Sequence, residues 1–437
     1  MNLKTQIVIV GGGASGLELA TKLGRKYGRE RHDIILVDCD RTHIWKPLLH
    51  EVATGSLDAN MDEVGYRSHC HRWNYRYVYG TLAGIDRGTR QIRLAALNDQ
   101  RGRQVVAPHV VRYDYLVLAF GSITNDFGTP GVAENCFVLD NRSQADSFRD
   151  NLLDHCLRVS RAMSADPACD ARVHVSIVGG GATGVELAAE LYNAADALSF
   201  YGLEVFDRSR LDVSLIEAGP RILPHLPERL ADAARTELEA LGVVVRTDTS
   251  IVESTIDGMR TRKGEFIEAD LQVWAAGVKA NPIRDGLDGL ELAPGGQVVV
   301  QPTLQSRSDE RVFAIGDCAF CRLPGQERPV PPRAQAAHQM ADACFRNLGK
   351  VMTGSKPRPF VYKDHGSLVS LSRFSTVGTL MGNLVGGRMA VEGRIARIIY
   401  LSLYRMHLIA IHGWLKGVAM IAIGHVNRVV RPKLKLH

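Results

Sequence analysis

Residues 7–16 read Ile7-Val8-Ile9-Val10-Gly11-Gly12-Gly13-Ala14-Ser15-Gly16, a run of β-branched residues emptying straight into glycines. Such a run predicts a buried strand that ends in a tight turn. Gly11, Gly13 and Gly16 then divide three tasks: the turn, the close approach of backbone to a pyrophosphate, and tight packing of the helix expected from Leu17. An acid is expected at the tip of the next strand, roughly 20 residues further on, to bind a ribose hydroxyl pair. Asp38 stands there, directly after Ile34-Ile35-Leu36-Val37.

The pattern occurs twice. Val173-His174-Val175-Ser176-Ile177-Val178 runs into Gly179-Gly180-Gly181-Ala182-Thr183-Gly184, and the matching acid is Glu217, after Val213-Ser214-Leu215-Ile216. Glu217 lies further from its glycines than is usual, which implies an insertion around residues 196–210. A carboxylate at this place binds an adenosine ribose and repels a 2′-phosphate, favouring NADH over NADPH. Arg221 nearby pulls the other way.

Other strands complete the scheme. Tyr113 to Ser122 is a buried parallel strand ending in Gly121, and Gln272-Val273-Trp274-Ala275-Ala276-Gly277-Val278 repeats the strand-to-glycine pattern. Val312-Phe313-Ala314-Ile315-Gly316-Asp317 ends in Gly-Asp, an acid that can meet a ribityl chain while the turn brings a helix N-terminus to a pyrophosphate. Tyr75–Val78 and Gln91–Leu94 read as strands of a small β-layer, and the turn formers of Thr124–Gly131 mark a crossing between domains. The expected fold is α/β with two Rossmann-like dinucleotide-binding domains, the second inserted into the first. The boundaries predicted are 1–130 and 296–355 for the first domain, 131–295 for the second, and 356–437 for a C-terminal region.

Composition limits the alternatives. The 437 residues suit two or three domains, and 45% hydrophobic with 23% charged residues is the balance of a globular protein with a sizeable core. A net charge of +6 is too modest to suggest nucleic acid as a partner. The first strand leaves no room ahead of it for a secretory signal, so the chain is expected on the cytoplasmic side. The eight cysteines are scattered, and only Cys318 and Cys321 make a C-x-x-C pair, half of a tetrahedral zinc site, so no metal is expected. After Asp38, where a disulfide reductase of this architecture would carry a redox cysteine pair, Cys39 stands alone.

Two further stretches carry chemistry. After Pro331-Pro332 a helix is expected to begin with small residues, and Gln335 and Gln339, four apart, share one face of it. That face would admit a planar ring and offer two amides, although a solvated helix face reads the same way. From Gly393 to His437 the chain is rich in Ile, Leu, Val, Tyr and Met and has no Asp or Glu, yet Arg394, Arg397, Arg405, Lys416, Arg428, Arg431, Lys433 and Lys435 punctuate it. No charge-free interval reaches the roughly 20 residues that a spanning helix needs. A basic amphipathic segment lying on an anionic lipid surface fits better, with Tyr400, Tyr404 and Trp414 at headgroup depth. The same pattern also suits packing against the protein itself or a second subunit.

Taken together, these motifs resemble the type II NADH dehydrogenases, single-subunit flavoproteins of respiratory chains, and especially their enterobacterial type. The likeness runs through Trp45-Lys46-Pro47-Leu48-Leu49-His50-Glu51-Val52-Ala53-Thr54-Gly55, Gly184-Val185-Glu186, Trp274-Ala275-Ala276-Gly277, Ala334-Gln335-Ala336-Ala337-His338-Gln339 and Lys363-Asp364-His365-Gly366-Ser367-Leu368. The resemblance implies noncovalent FAD held by Gly11, Gly13, Ala14, Ser15, Gly16, Asp38, Lys46, Gly121, Gly316, Asp317, Ala334 and Gln335. It implies NADH held by Gly179, Gly181, Gly184, Glu186, Glu217 and Gly277. Gln335 and Gln339 would line a quinone pocket near the flavin ring, with Lys363 close to the same place, and Glu186 would correspond to the acid that the family places by nicotinamide and flavin. The expected activity carries a hydride from NADH to FAD and two electrons on to ubiquinone or menaquinone, without proton pumping. The enzyme would lie peripherally on the cytoplasmic face of the inner membrane, and a homodimer is compatible with this. Two competing readings are a sulfide:quinone oxidoreductase, against which the intact second fingerprint argues, and a flavoprotein that senses NADH without useful turnover.

Overall fold

The computed structural model describes residues 4–99, 101–198, 206–283, 285–371, 375–382, 387–392 and 404–430. The chain forms two compact units. Unit 1 comprises Met1–Trp45, Glu63–Ile123 and Lys279–Lys363, and unit 2 comprises Lys46–Asp62, Thr124–Val278 and Asp364–His437.

Unit 1 is built on a five-stranded sheet in the order Val312–Ala314, Tyr115–Leu118, Thr5–Val10, His32–Asp38, Arg76–Tyr79. All four pairings are parallel. Ile7, Ile9, Ile34 and Leu116 are fully buried in it, each contributing about 1.5–3 kcal/mol from apolar burial. The register sets Val10 level with Val37 and Leu118, and Leu118 level with Ala314. The glycines and acids that follow these strands therefore emerge together at one end of the sheet, where α/β folds bind their ligands. The helix Ala14–Arg31 starts three residues before the expected Leu17, because Ala14 and Ser15 already take helical geometry after the glycine turn. It packs against the helix Ala334–Val351.

The strand expected at Tyr75–Val78 belongs elsewhere than predicted. Residues Arg76–Tyr79 form the edge of the parallel sheet, whereas Gln91–Leu94 sits in a separate antiparallel sheet with Leu82–Asp86 and His109–Arg112. A four-residue strand has too few side chains to reveal whether one or both of its faces are covered.

Unit 2 repeats the design with four parallel strands in the order Val244–Arg246, Leu211–Ile216, Val173–Val178, Leu271–Trp274. Val178, Ile216 and Trp274 pack with Val132, Met259 and Ile267 in one buried cluster. The helix Arg142–Ala165 opens on a capping box: Asn141 accepts the Gln144 amide hydrogen and the Gln144 side chain accepts that of Asn141. The insertion before Glu217 is partly a prolonged helix, Ala182–Leu198, fastened by an Asp196–Arg208 ion pair, while residues 199–205 lie outside the described part.

The C-terminal part of unit 2 carries an antiparallel sheet of Gly366–Leu371, Ser375–Gly382 and Gly387–Glu392, then helical residues 404–412 and the helix Trp414–Val430. Here one expectation is corrected. Residues 404–412 pack into the protein: Leu408 and Ile411 are buried, and the Tyr404 hydroxyl donates to Asp62 at 3.2 Å instead of facing a headgroup layer. Trp414, Leu415, Val418 and Ile423 on the next helix are exposed. Of the expected lipid-facing residues, Tyr400, Arg394, Arg397, Arg431, Lys433 and Lys435 lie outside the described part. Among the described residues no helix is long and apolar enough to cross a membrane.

Candidate functional sites in the two units

In unit 1 the glycines of the first fingerprint are required for different reasons. Gly11 has φ +103°, and a Cβ there would sit 2.2 Å from the Ala119 carbonyl oxygen. A Cβ on Gly16 would sit 1.8 Å from the Gly11 oxygen, so the helix can pack on the turn only as glycine. Around Gly13 there is nothing within 4 Å. It faces open space at the start of helix Ala14–Arg31, the place where a phosphate would meet free N–H groups.

Asp38 accepts hydrogen bonds from the backbone N–H of Gly12 and, at 2.7 Å, of Asp40. Burial pushes its carboxyl up to about 6, against the pull of those two hydrogen bonds. Gly121 and Gly316 take positive φ of 70° and 72°. Asp317 accepts the Ser122 hydroxyl at 2.8 Å, and a Cβ on Gly316 would come 2.9 Å from the Ser15 Oγ. Ser15, Gly316 and Asp317 are thereby gathered beside the first turn. An open cradle, a helix N-terminus and an acid at the second strand tip fit a dinucleotide.

Gln335 and Gln339 lie on the helix Ala334–Val351, both half-buried. The Gln339 amide is engaged: its Nε2 donates to the Lys363 carbonyl at 2.8 Å and its Oε1 accepts the Lys363 N–H at 2.9 Å. It fixes the backbone of Lys363, whose side chain is exposed. The same helix presents His338, whose Nδ1 lies 2.6 Å from the buried carboxylate of Glu18. That hydrogen bond is what raises the imidazole above its ordinary value, against burial. Glu18 also accepts Lys22 at 2.5 Å, and Lys22 reaches Asp342.

The cysteine pair has no access to this chemistry. Cys318 and Cys321 are buried, and the Cys318 thiol donates to the Leu118 carbonyl at 3.3 Å. Burial pushes the two thiols up to about 12 and about 11, far from the thiolate form.

Unit 2 builds the same apparatus again. Gly179 has φ +117° with Ala275 2.7 Å from its would-be Cβ, a Cβ on Gly184 would lie 2.1 Å from the Gly179 oxygen, and Gly181 faces open space. Glu217 accepts the N–H groups of Gly180 and Gly219, both at 2.7 Å. Arg221 Nη2 donates to the Pro224 carbonyl at 3.1 Å. Gly277 has φ +65°, and a Cβ there would lie 2.6 Å from the Phe127 ring. Lys46, given to the flavin by the resemblance, belongs to unit 2, where it pairs with Asp140 at 3.0 Å.

Glu186 is buried near the start of the second fingerprint helix. Its Oε1 accepts the Ser370 N–H at 3.0 Å, and its Oε2 lies 3.6 Å from Nδ1 of His50. His50 is itself buried, and desolvation pushes it down to about 4 despite the charge of Glu190 and a hydrogen bond to the Pro47 carbonyl. The sequence reading quoted His50 within a longer run and gave it no task. A lone histidine among apolar residues carries no periodic signal; its neighbours become visible only when the chain is folded.

A protein-family model described as pyridine nucleotide-disulphide oxidoreductase matches residues 5–341. A curated type II NADH:quinone oxidoreductase of Haemophilus influenzae is 45% identical over 99% of this chain and 99% of its own length. The chain belongs to the type II NADH:quinone oxidoreductases. A more distant type II NADH:quinone oxidoreductase, from Staphylococcus aureus, is 27% identical over 89% of this chain and 92% of its own. In fold, the chain is similar to NDH2 from Plasmodium falciparum, solved in complex with NADH, with TM-score 0.81, 19% identity, and 99% and 100% of the two chains covered. The sulfide:quinone oxidoreductase of Aquifex aeolicus shares the fold at TM-score 0.71 and 16% identity, covering 98% and 95%. The type II NADH:quinone oxidoreductases thus account for both fingerprints, and the cysteines buried here do not suit the sulfur chemistry of the alternative.

Proposed function

We propose that this chain is an FAD-dependent NADH:quinone oxidoreductase that feeds electrons into a respiratory chain from the surface of a membrane. The observation that carries the reading is the duplicated glycine turn with its acid, Gly12 on Asp38 and Gly180 on Glu217, in a chain 45% identical end to end to a type II NADH:quinone oxidoreductase.

Unit 1 takes FAD, with its pyrophosphate over Gly11, Gly13 and the helix beginning at Ala14, a ribose on Asp38, and Asp317 toward the ribityl chain. Unit 2 takes NADH, with Gly179, Gly181 and Gly184 at its pyrophosphate and Glu217 at the adenosine ribose, where the carboxylate selects against a 2′-phosphate. When bound, FAD accepts a hydride from NADH and releases two electrons singly or together to quinone. The protein supplies position: the glycine turns hold two dinucleotides, and the Gln339 amide holds Lys363 in place beside the helix bearing Gln335. Gln335 and Lys363 are assigned to quinone, and Glu186 to proton exchange. The membrane contact is the exposed apolar face of Trp414, Leu415, Val418 and Ile423, with Lys416 among them for anionic headgroups. On this reading the enzyme lies peripherally on the inner membrane, on its cytoplasmic face, and moves no proton across it.

An absorbance spectrum of the flavin-loaded protein tests the reading. Anaerobic NADH should bleach the flavin, and a short-chain quinone should restore its colour. A flavin that stays oxidised under excess NADH, or stays reduced under excess quinone, overturns it; a faster response to sulfide than to NADH would favour the alternative donor.

A further inference from the structure

The stripe of the helix Ala334–Val351 that carries Gln335 and Gln339 continues, at helical intervals of three and four, through His338 and Asp342. All four are half-buried. The helix Ala14–Arg31 faces them with Glu18, Lys22 and Lys26, each four residues after the one before. The two stripes meet as a ladder of charged rungs. Glu18 is fully buried, with His338 Nδ1 2.6 Å from its Oε2 and Lys22 Nζ 2.5 Å from its Oε1. Lys22 also reaches Asp342, and the Lys26 ammonium lies 5.3 Å from the centre of the Phe345 ring. Every rung lies within unit 1 and joins the helix that leaves the first glycine turn to the helix that bears the two glutamines. The second fingerprint carries Glu190 where the first has Lys22, so a glycine turn does not by itself require the ladder.

We propose that the Glu18–His338 pair is a positioning contact for quinone reduction, fixing the roll and height of the Gln335–Gln339 stripe against the helix that begins at the first glycine turn. The proposal rests on the assignment of Gln335 and its helix to quinone. His338 lies between the two glutamines in sequence, so movement at this rung carries both amides with it. An imidazolium on a carboxylate makes a charge-assisted hydrogen bond, roughly twice as strong as a neutral one. Two cations, Lys22 and His338, then balance the two carboxylates of Glu18 and Asp342. When the imidazole loses its proton, one lysine serves both acids, and a carboxylate shut away from water is left short of positive charge.

The hydrogen bond to Glu18 raises His338 above its ordinary 6.5, against burial. The hold of this rung is therefore complete below 6.5 and is lost as pH rises through the raised value. Few other charges act on the imidazole. Asp342 faces it from its own helix, and Glu18 and Lys22 from the helix opposite. Lys26 lies over the rings of Tyr27 and Phe345, while Arg25 and Arg346 are exposed. In the turn Gly316–Cys318, packed on the same helix, Asp317 accepts the Ser122 hydroxyl and the Cys318 thiol donates to the Leu118 carbonyl. His338 is the imidazole of this cluster, the side-chain type whose charge changes nearest neutrality.

Stopped flow on the flavin-loaded enzyme, reduced by NADH and then mixed with a short-chain quinone or with ferricyanide, tests the contact from pH 6 to 10. Ferricyanide takes electrons from reduced flavin without occupying a quinone pocket. The rate of reoxidation by quinone, divided by that with ferricyanide, should fall in one step as His338 loses its proton. His338→Gln keeps a hydrogen-bond donor without the charge. Its ratio should be roughly threefold or more below wild type already at pH 6, and the step should vanish, while bleaching by NADH stays as it was. Glu18→Gln should remove the same step. The protons that quinone itself takes up add the same pH dependence to every variant, so the difference between profiles belongs to the pair. Matching profiles in wild type and His338→Gln, a wild-type ratio without a step, or equal loss with both acceptors overturns the contact. Should both variants lose flavin, the wild-type profile decides alone, its step supporting the contact and a flat ratio refuting it. Wild-type enzyme that passes electrons to ferricyanide and never to quinone refutes the functional reading instead.

Discussion

Gln339 and Lys363 are joined by two hydrogen bonds between the side-chain amide of one and the backbone of the other, at 2.8 and 2.9 Å. The glutamine is therefore a clamp on a segment far along the chain. Replacing Gln339 by Leu removes both bonds and lets Lys363 drift. Quinone reduction should fall roughly tenfold or more, since displacements of about 1 Å cost that much in a positioned site, while flavin bleaching by NADH stays normal. Replacing Gln335 by a large residue should give the same split by blocking the helix face directly. Stopped-flow measurement of the two half-reactions distinguishes this from a general loss, in which both rates would drop.

Gly11 and Gly13 should fail differently. A side chain on Gly11 meets the Ala119 backbone and an unfavourable positive φ, so Gly11→Val should disrupt the sheet end and lower the melting temperature sharply. Gly13 faces open space, so Gly13→Val should fold yet come out colourless, its methyl groups occupying the phosphate cradle. The ratio of flavin to protein absorbance, read beside a melting curve, checks both. A yellow Gly13→Val protein would contradict the placement of the pyrophosphate.

If Asp38 binds the FAD ribose as proposed, flavin binding is linked to pH. The Asp38 carboxyl is raised by burial from the ordinary 3.8 to about 6, so the folded flavin-free protein holds that proton more tightly than the unfolded chain. This group's contribution to stability is accordingly greatest in acid and is lost as pH rises from about 4 through 6. A ribose hydroxyl pair donates to the ionised form, which reverses the preference when FAD is present. FAD affinity should therefore climb with pH up to about 6, by as much as about tenfold per unit, and then level off. Flavin titrations across pH 5 to 8 test this, and Asp38→Asn should bind weakly with little pH dependence.

Much of this design was legible in the chain because its signals are local. Gly11 to Gly16 with Asp38, and Gly179 to Gly184 with Glu217, occupy short spans in which strand, turn and acid follow in order, so sequence spacing and spatial geometry coincide. The edge strand Arg76–Tyr79 was misplaced because four residues state no partner. Gln339 was read as a free amide, and its engagement with Lys363 depends on a contact across 24 residues that no periodicity reports. His50 and Glu186 come together from segments 136 residues apart where the helix Leu49–Ala53 packs on Ala182–Leu198. Such convergence is a property of packing.

On the proposed function, Glu217 sets the choice of nucleotide. Its two oxygens are each held by a backbone N–H at 2.7 Å, so the carboxylate is fixed before any ribose arrives. Glu217→Gln keeps the shape and removes the charge that repels a 2′-phosphate. The ratio of kcat/KM for NADH over NADPH should fall by about one to two orders of magnitude, chiefly through KM. An unchanged ratio would assign the discrimination to other residues.

The C-terminal region calls for a cut at a particular place. Removing everything after residue 393 would strip out residues 404–412, and with them buried Leu408 and Ile411 and the Tyr404–Asp62 hydrogen bond. That truncation should cost stability through exposed core, whatever the role of the tail in docking. Ending the chain at Gly413 spares this packing and deletes only the helix that exposes Trp414, Leu415, Val418 and Ile423. The shorter chain should reduce soluble acceptors at the original rate, melt within a few degrees of the full chain, and no longer sediment with vesicles containing anionic lipid. Added salt should weaken the full chain's sedimentation without abolishing it, because headgroup attraction is screened while apolar insertion is not. If the chain ending at Gly413 still sediments as before, membrane contact lies in another part of unit 2; if it loses activity with soluble acceptors, the last helix supports the fold instead.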